Sequence, residues 1–85
     1  MDSASSLTLY IQTACPYAAK VLLEGAIMGL TFNERNVRDP GVMRTLMELS
    51  GKRQTPYLVD EERDIAVSDS DAIIAYLHER FGETT

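Results

Sequence analysis

Leu7, Leu9 and Ile11 alternate with Thr8 and Tyr10, a period of two that predicts a five-residue strand. Both of its faces are substantially apolar, as in strands that lie inside a sheet. From Pro16 to about Gly29 the spacing becomes helical: Ala18, Val21, Leu22 and Gly25 share a face, with Lys20 and Glu24 outward. Pro16 suits the first helical turn, where its missing N–H is no loss, and Gly29 suits the stop. Phe32 to Val37 predicts a weaker strand, polar enough to be an edge. Asp39-Pro40 is then expected to open a second helix, with the aspartate as cap and the proline at the first position. Its buried stripe would be Val42, Met43, Leu46 and Met47, and Gly51 would close it. Tyr57–Val59 and Ile65–Val67 read as short strands separated by a charged hairpin loop, Asp60 to Asp64. A last helix begins near Ser68 to Ser70 and shows Ile73, Ile74, Leu77 and Phe81 at helical spacing before Gly82. The order β-α-β-α-β-β-α implies an α/β fold, with the first βαβ unit parallel and right-handed and the closing hairpin antiparallel. Together these give a four-stranded mixed sheet with three helices, placed on both faces.

Length and composition narrow the picture. The 85 residues make a single domain, 1–85, with its core in about 7–82. A chain this short buries about 60–65% of its unfolded surface, so one core is expected. Asp2 to Ser6 and Glu83 to Thr85 read as frayed ends. Apolar residues at 45% and charged residues at 25% argue against disorder or a collagen-like repeat. No apolar run approaches the ~18 residues of a membrane helix, and Met1 to Ser6 has neither basic residues nor an apolar stretch. Neither a secretion signal nor a membrane span is expected. Eight basic against thirteen acidic residues give a net charge of −5. That disfavours nucleic acid as a partner, although a local basic cluster can still hold a small anion. Cys15 is the lone cysteine and His78 the lone histidine, so one chain offers neither an internal disulfide nor a zinc-type ligand set. The plain expectation is a reducing, cytoplasmic compartment and no bound metal.

Three places carry candidate chemistry. Cys15-Pro16-Tyr17-Ala18 lies where the first strand meets the first helix. A thiol there faces free backbone N–H groups and the positive end of the helix dipole, which favour thiolate, and Lys20 one turn on adds electrostatic support. A small buried apolar cysteine is the competing reading. Thr55-Pro56 opens the third strand after Lys52, Arg53 and Gln54. The proline is either a plain turn residue or a cis proline that leaves the Thr55 backbone able to bind an extended peptide. Ser68-Asp69-Ser70-Asp71 precedes the last helix. Ser68 and Asp71 resemble a capping box, yet the run holds more polar groups than one cap requires. Free helix N–H groups can take a carboxylate while an aspartate beside them holds an ammonium, the two charges of an α-amino acid head group. His78 is assigned to the surface and the methionines to the core.

Together and in this order, the cysteine-proline-tyrosine helix start, the threonine-proline and the Ser-Asp-Ser resemble a glutaredoxin-type member of the thioredoxin-fold superfamily. The span from about Leu7 to Gly82 is also similar to the N-terminal domain of glutathione S-transferases, especially the cysteine-containing kinds. Asp69-Ser70-Asp71-Ala72-Ile73 resembles the transferases' Glu-Ser-x-Ala-Ile signature, with aspartate for glutamate, whereas Ser50-Gly51-Lys52-Arg53 before Thr55-Pro56 resembles glutaredoxins more. The resemblance implies a thioredoxin-like fold and glutathione as co-substrate. By the same resemblance Cys15 would be the nucleophile, Tyr17 would lie beside the bound peptide, and Thr55 ahead of a cis Pro56 would pair with its cysteinyl part. Asp69 and Ser70 would hold the γ-glutamyl end, and Gln54, with Lys52 and Arg53 close by, the glycine end. Two departures stand out: Ala18 replaces the second cysteine of dithiol glutaredoxins, and Gln12 stands where many carry a lysine.

These features support a glutathione-dependent monothiol oxidoreductase, a thioltransferase acting on glutathionylated thiols or proteins, expected to be a monomer. Different classes remain beside it: a glutathione-binding module without turnover, an iron–sulfur carrier, or a conjugating transferase completed by a helical second domain. Carriers of the cluster kind have glycine after the cysteine, where Pro16 stands here.

Overall fold

The structure, a computed structural model, describes residues 6–82. Apart from Ser6, the expected frayed ends lie outside the described residues. Seven elements follow in the anticipated order: β1 (Leu7–Ile11), α1 (Pro16–Ile27), β2 (Asn33–Asn36), α2 (Val42–Ser50), β3 (Tyr57–Asp60), β4 (Ile65–Ser68) and α3 (Ser70–Phe81). The sheet runs β2-β1-β3-β4, with β1 parallel to β2 and antiparallel to β3, and β3 antiparallel to β4. This is a thioredoxin-like fold. As its apolar faces required, β1 is internal, and the polar β2 is an edge.

Alternation along β1 divides the interior into two clusters rather than the single one expected. Leu7 and Leu9 point to one face, where they meet Val21 of α1, Leu58 of β3, and Ile73 and Leu77 of α3. Tyr10 points to the other, where it packs with Val37, Tyr57, and Val42 and Leu46 of α2. α1 and α3 therefore cover one face and α2 the other. Six side chains of the first cluster are entirely buried, each worth about 1.5–3 kcal/mol. Gly25 lies buried in α1 because a Cβ there would run into the Phe32 ring.

The start of α2 and the cap of α3 differ from the sequence expectation, whereas α3 begins at Ser70 as anticipated. α2 does not begin at Asp39-Pro40; its N-cap is Gly41, in the left-handed region at φ 82°, and the first helical residue is Val42. The chain leaving β2 first reverses through a turn in which the Asp39 N–H donates to Asn36 O and the Val42 N–H to Asp39 O. Glycine is the residue that tolerates the backbone angle this reversal demands. α3 is capped by Asp69, whose carboxylate accepts from the Ala72 N–H at 3.3 Å, and not by a Ser68–Asp71 box. Ser68 still belongs to β4, and Asp71 is bonded elsewhere. Of the methionines assigned to the core, Met28 and Met43 pack against it while Met47 is exposed.

Asp60, expected in a charged loop, ends β3 fully buried. Its carboxylate accepts from Tyr76 Oη at 2.5 Å and Arg80 Nε at 2.8 Å, both on α3, and from the Glu62 and Arg63 N–H groups. Arg80 also reaches Glu62. Burial alone would push the Asp60 carboxyl up; hydrogen bonds from Tyr76, Arg80 and the Arg63 N–H outweigh it and hold it below its ordinary value. Burial and the Asp60 hydrogen bond together push the Tyr76 hydroxyl up. Between Tyr76 and Arg80 along α3, exposed His78 meets Glu24 of α1 at 2.6 Å.

Candidate functional site

The ends of four elements converge at one end of the sheet. β1 delivers a short loop, Gln12 to Ala14, to the start of α1, where Cys15 is the N-cap residue with no side-chain cap bond. A thiol in that position faces the unpaired N–H groups of the first helical turn, and Pro16 costs none of them. Cys15 is partly exposed. It opens onto a cleft of about 380 Å³ together with Ile11, Gln12, Thr13, Leu22 and Asn36. Ala18, which stands where a resolving cysteine would, is buried and lines the same cleft.

On the other flank of the α1 start lies a second cleft, also of about 380 Å³. Its walls are Tyr17, Gln54, Thr55, Pro56, Asp69 and Ser70. These six are the residues assigned to glutathione by the sequence resemblance, drawn from three separate stretches of chain. The Thr55–Pro56 peptide bond is cis. Tyr17 is 60% exposed, so its ring stands free at the rim, whereas Ser70 is 4% exposed and forms part of the floor. Asp69 has φ 78° with ψ 127°, a positive φ outside the αL basin and uncommon for any residue with a Cβ. Such positions cluster where function constrains the backbone.

The basic residues are dispersed around this cleft. Lys52 lines a smaller depression of about 230 Å³ that shares Gln54 with it. Arg53 is exposed. Lys20 does not point along α1 towards the thiol: its Nζ donates to Asp71 Oδ1 at 2.6 Å, tying α1 to α3. That hydrogen bond and the Asp71 charge push the Lys20 ammonium above its ordinary value. Two features of the site went unread in the sequence. Asn36 at the end of β2 donates to Thr13 Oγ1 at 2.8 Å, across from Cys15. The polar run Ser68 to Asp71 divides its labour, Asp69 capping and Asp71 bridging to Lys20.

Comparisons with known proteins bear on the family and the fold. The family described as glutathione S-transferase, N-terminal domain, matches residues 14–80. No curated protein sequence matches the chain. Among solved structures, a glutathione S-transferase from the Antarctic clam Laternula elliptica is 26% identical with a TM-score of 0.79, over 93% of this chain and 36% of that one. Glutathione S-transferase 1-6 from Anopheles dirus species B is 29% identical with a TM-score of 0.77, over 91% and 37%. The glutathione transferase URE2P6 from Phanerochaete chrysosporium, solved in complex with oxidized glutathione, is 25% identical with a TM-score of 0.80, over 93% and 38%. The chain thus spans little more than a third of the length of these structures. With a matched segment that takes in the α1 start, the cis proline and the Asp69-Ser70 helix start, the chain belongs to the glutathione S-transferase N-terminal domain family.

Proposed function

We propose that this chain binds glutathione in the cleft of Tyr17, Gln54, Thr55, Pro56, Asp69 and Ser70, and that Cys15 performs glutathione-dependent thiol–disulfide exchange beside it. The observation that carries the reading is the convergence of those six residues, from three stretches of sequence, next to a helix-start cysteine. The floor and rim suit the peptide's chemistry. The start of α3 and the Ser70 hydroxyl face the γ-glutamyl carboxylate, and Asp69 faces its ammonium. Gln54 and neighbouring Lys52 and Arg53 face the glycine end.

The substrates are glutathionylated thiols, small or borne by proteins. The Cys15 thiolate attacks the glutathione sulfur of the mixed disulfide; a Cys15–glutathione disulfide forms and the substrate leaves as a thiolate that takes a proton from water. A second glutathione, as thiolate, then attacks the glutathione sulfur of that intermediate. Oxidised glutathione departs and Cys15 returns as thiolate, so each mixed disulfide consumes one free glutathione and gives one substrate thiol and one oxidised glutathione. Ala18 at the resolving position supports this monothiol route. Turnover of a small glutathione mixed disulfide, coupled to glutathione reductase, tests it: wild type should turn over and Cys15→Ser should not. Equal rates for both would refute the assignment.

A second reading is glutathione conjugation, favoured by the family match. Here the same cleft holds glutathione, and an electrophile is met by a further domain, as the greater length of the matching structures allows. Conjugation of a chlorinated dinitrobenzene that survives in Cys15→Ser would favour this reading over exchange.

A further inference from the structure

The loop that carries Cys15 has little of its own to fix it. Gln12, Thr13 and Ala14 are all exposed, Ala14 is left-handed at φ 64°, and the Cys15 N–H turns back to Gln12 O at 3.1 Å. A nucleophile must nevertheless be held within a fraction of an ångström of its attack position. Half-buried Asn36 stands opposite, in register with Ile11, the residue at which this loop leaves the sheet. Its side chain is committed at both ends. Oδ1 accepts from the Arg38 N–H at 2.9 Å, which settles the orientation of the amide, and Nδ2 then donates to Thr13 Oγ1 at 2.8 Å. The backbone around it is equally committed, with the Val37 N–H on Ile11 O and the Asp39 N–H on Asn36 O. One amide thus ties the nucleophile's loop to the turn between β2 and α2, and it lines the cleft onto which Cys15 opens.

We propose that Asn36 is a positioning residue for Cys15, acting through Thr13. The inference rests on the reading of Cys15 as the nucleophile of exchange. A merely structural Asn36 would serve the β2–α2 turn through Arg38 alone, and the Thr13 bond would be incidental.

Thr13→Val separates the two, because it deletes the acceptor for Asn36 at an exposed site and leaves the Asn36–Arg38 bond intact. In the coupled assay, Thr13→Val should lower kcat about five- to ten-fold, with KM for glutathione within about two-fold of wild type and an unchanged melting temperature. Thr13→Ser keeps the hydroxyl and should restore wild-type kcat. The double variant Asn36→Ala/Thr13→Val should be no slower than Asn36→Ala, as for two residues acting through one bond. Wild-type kcat in folded Thr13→Val, or full additivity in the double variant, overturns the proposal. If wild type itself shows no exchange, the functional reading fails, and positioning is then read from alkylation of Cys15 by iodoacetamide. A rate differing about three-fold or more between wild type and Thr13→Val, restored by Thr13→Ser, upholds it; equal rates overturn it.

Discussion

At Asp69 three demands meet in one residue: a positive-φ backbone, a cap on the Ala72 N–H, and a place in the wall of the cleft. Asparagine meets the first two and lacks the charge. Asp69→Asn should therefore leave the melting temperature nearly unchanged and raise the apparent KM for glutathione about ten-fold or more, the loss of a charge-assisted hydrogen bond of roughly 1.5–3 kcal/mol. Steady-state kinetics at varied glutathione check this; unchanged KM in a folded protein would leave Asp69 as a cap and nothing more. Lys20 gives the opposite expectation. Its ammonium is already paired with Asp71 on an exposed surface, so Lys20→Met should change Cys15 alkylation by less than about two-fold. The site residues were legible because each lies at a local punctuation mark, a proline, a helix start or a cap, whose chemistry is visible within a few positions. The Lys20–Asp71 and Asn36–Thr13 bonds were not. They join residues 51 and 23 positions apart, and only packing brings such residues together.

Among the elements, one carboxylate adds a polar tether between β3 and α3 to the packing of Leu58 against Ile73 and Leu77. Asp60 is fully buried and gathers Tyr76 and Arg80 across to the strand end. Its removal would leave a largely buried guanidinium with Glu62 and the Phe81 ring. Asp60→Asn should therefore cost about 2–3 kcal/mol at pH 7, or roughly 10–20 °C in melting temperature for a domain of this size. The pH dependence has a definite sign. The folded carboxyl lies below its unfolded value, so its contribution is complete above about pH 5. It is lost as the pH falls from about 3.9 through the folded value. Urea melts of wild type and Asp60→Asn should thus differ equally at pH 8 and pH 5, and converge below pH 4; a gap that widens with acid would contradict the assignment. The sequence reading placed all seven elements yet missed this tether. A charged run from Asp60 to Asp64 looks like solvated loop until Asp60 is seen to continue the inward alternation of Leu58. The start of α2 was missed for a related reason: Asp39-Pro40 carries the local signal of a helix start, but the chain spends those residues turning away from β2.

For the molecule as a whole, one thiol fixes the stoichiometry. Incubation with oxidised glutathione should add one glutathione per chain, seen by intact mass, and none to Cys15→Ser. Without a second cysteine the protein should also spare unrelated protein disulfides when glutathione is withheld; their reduction by the protein alone would contradict the monothiol route. The sheet order has a consequence of another kind, for the way the domain is made. β1 is the first of its strands in the sequence and lies inside the sheet, and its antiparallel partner ends at Asp60, paired with Leu7. At about 5–20 residues per second, a ribosome needs roughly 3–10 s to deliver that partner. The β1-α1-β2 unit can form meanwhile from nearby chain, but one edge of β1 then stands open, with Leu7 and Leu9 lacking the cover of Leu58 and α3. An open apolar edge invites any other strand in reach. The yield of this domain in a cell should accordingly follow what shields nascent chains during those seconds more closely than it follows the stability of the finished fold.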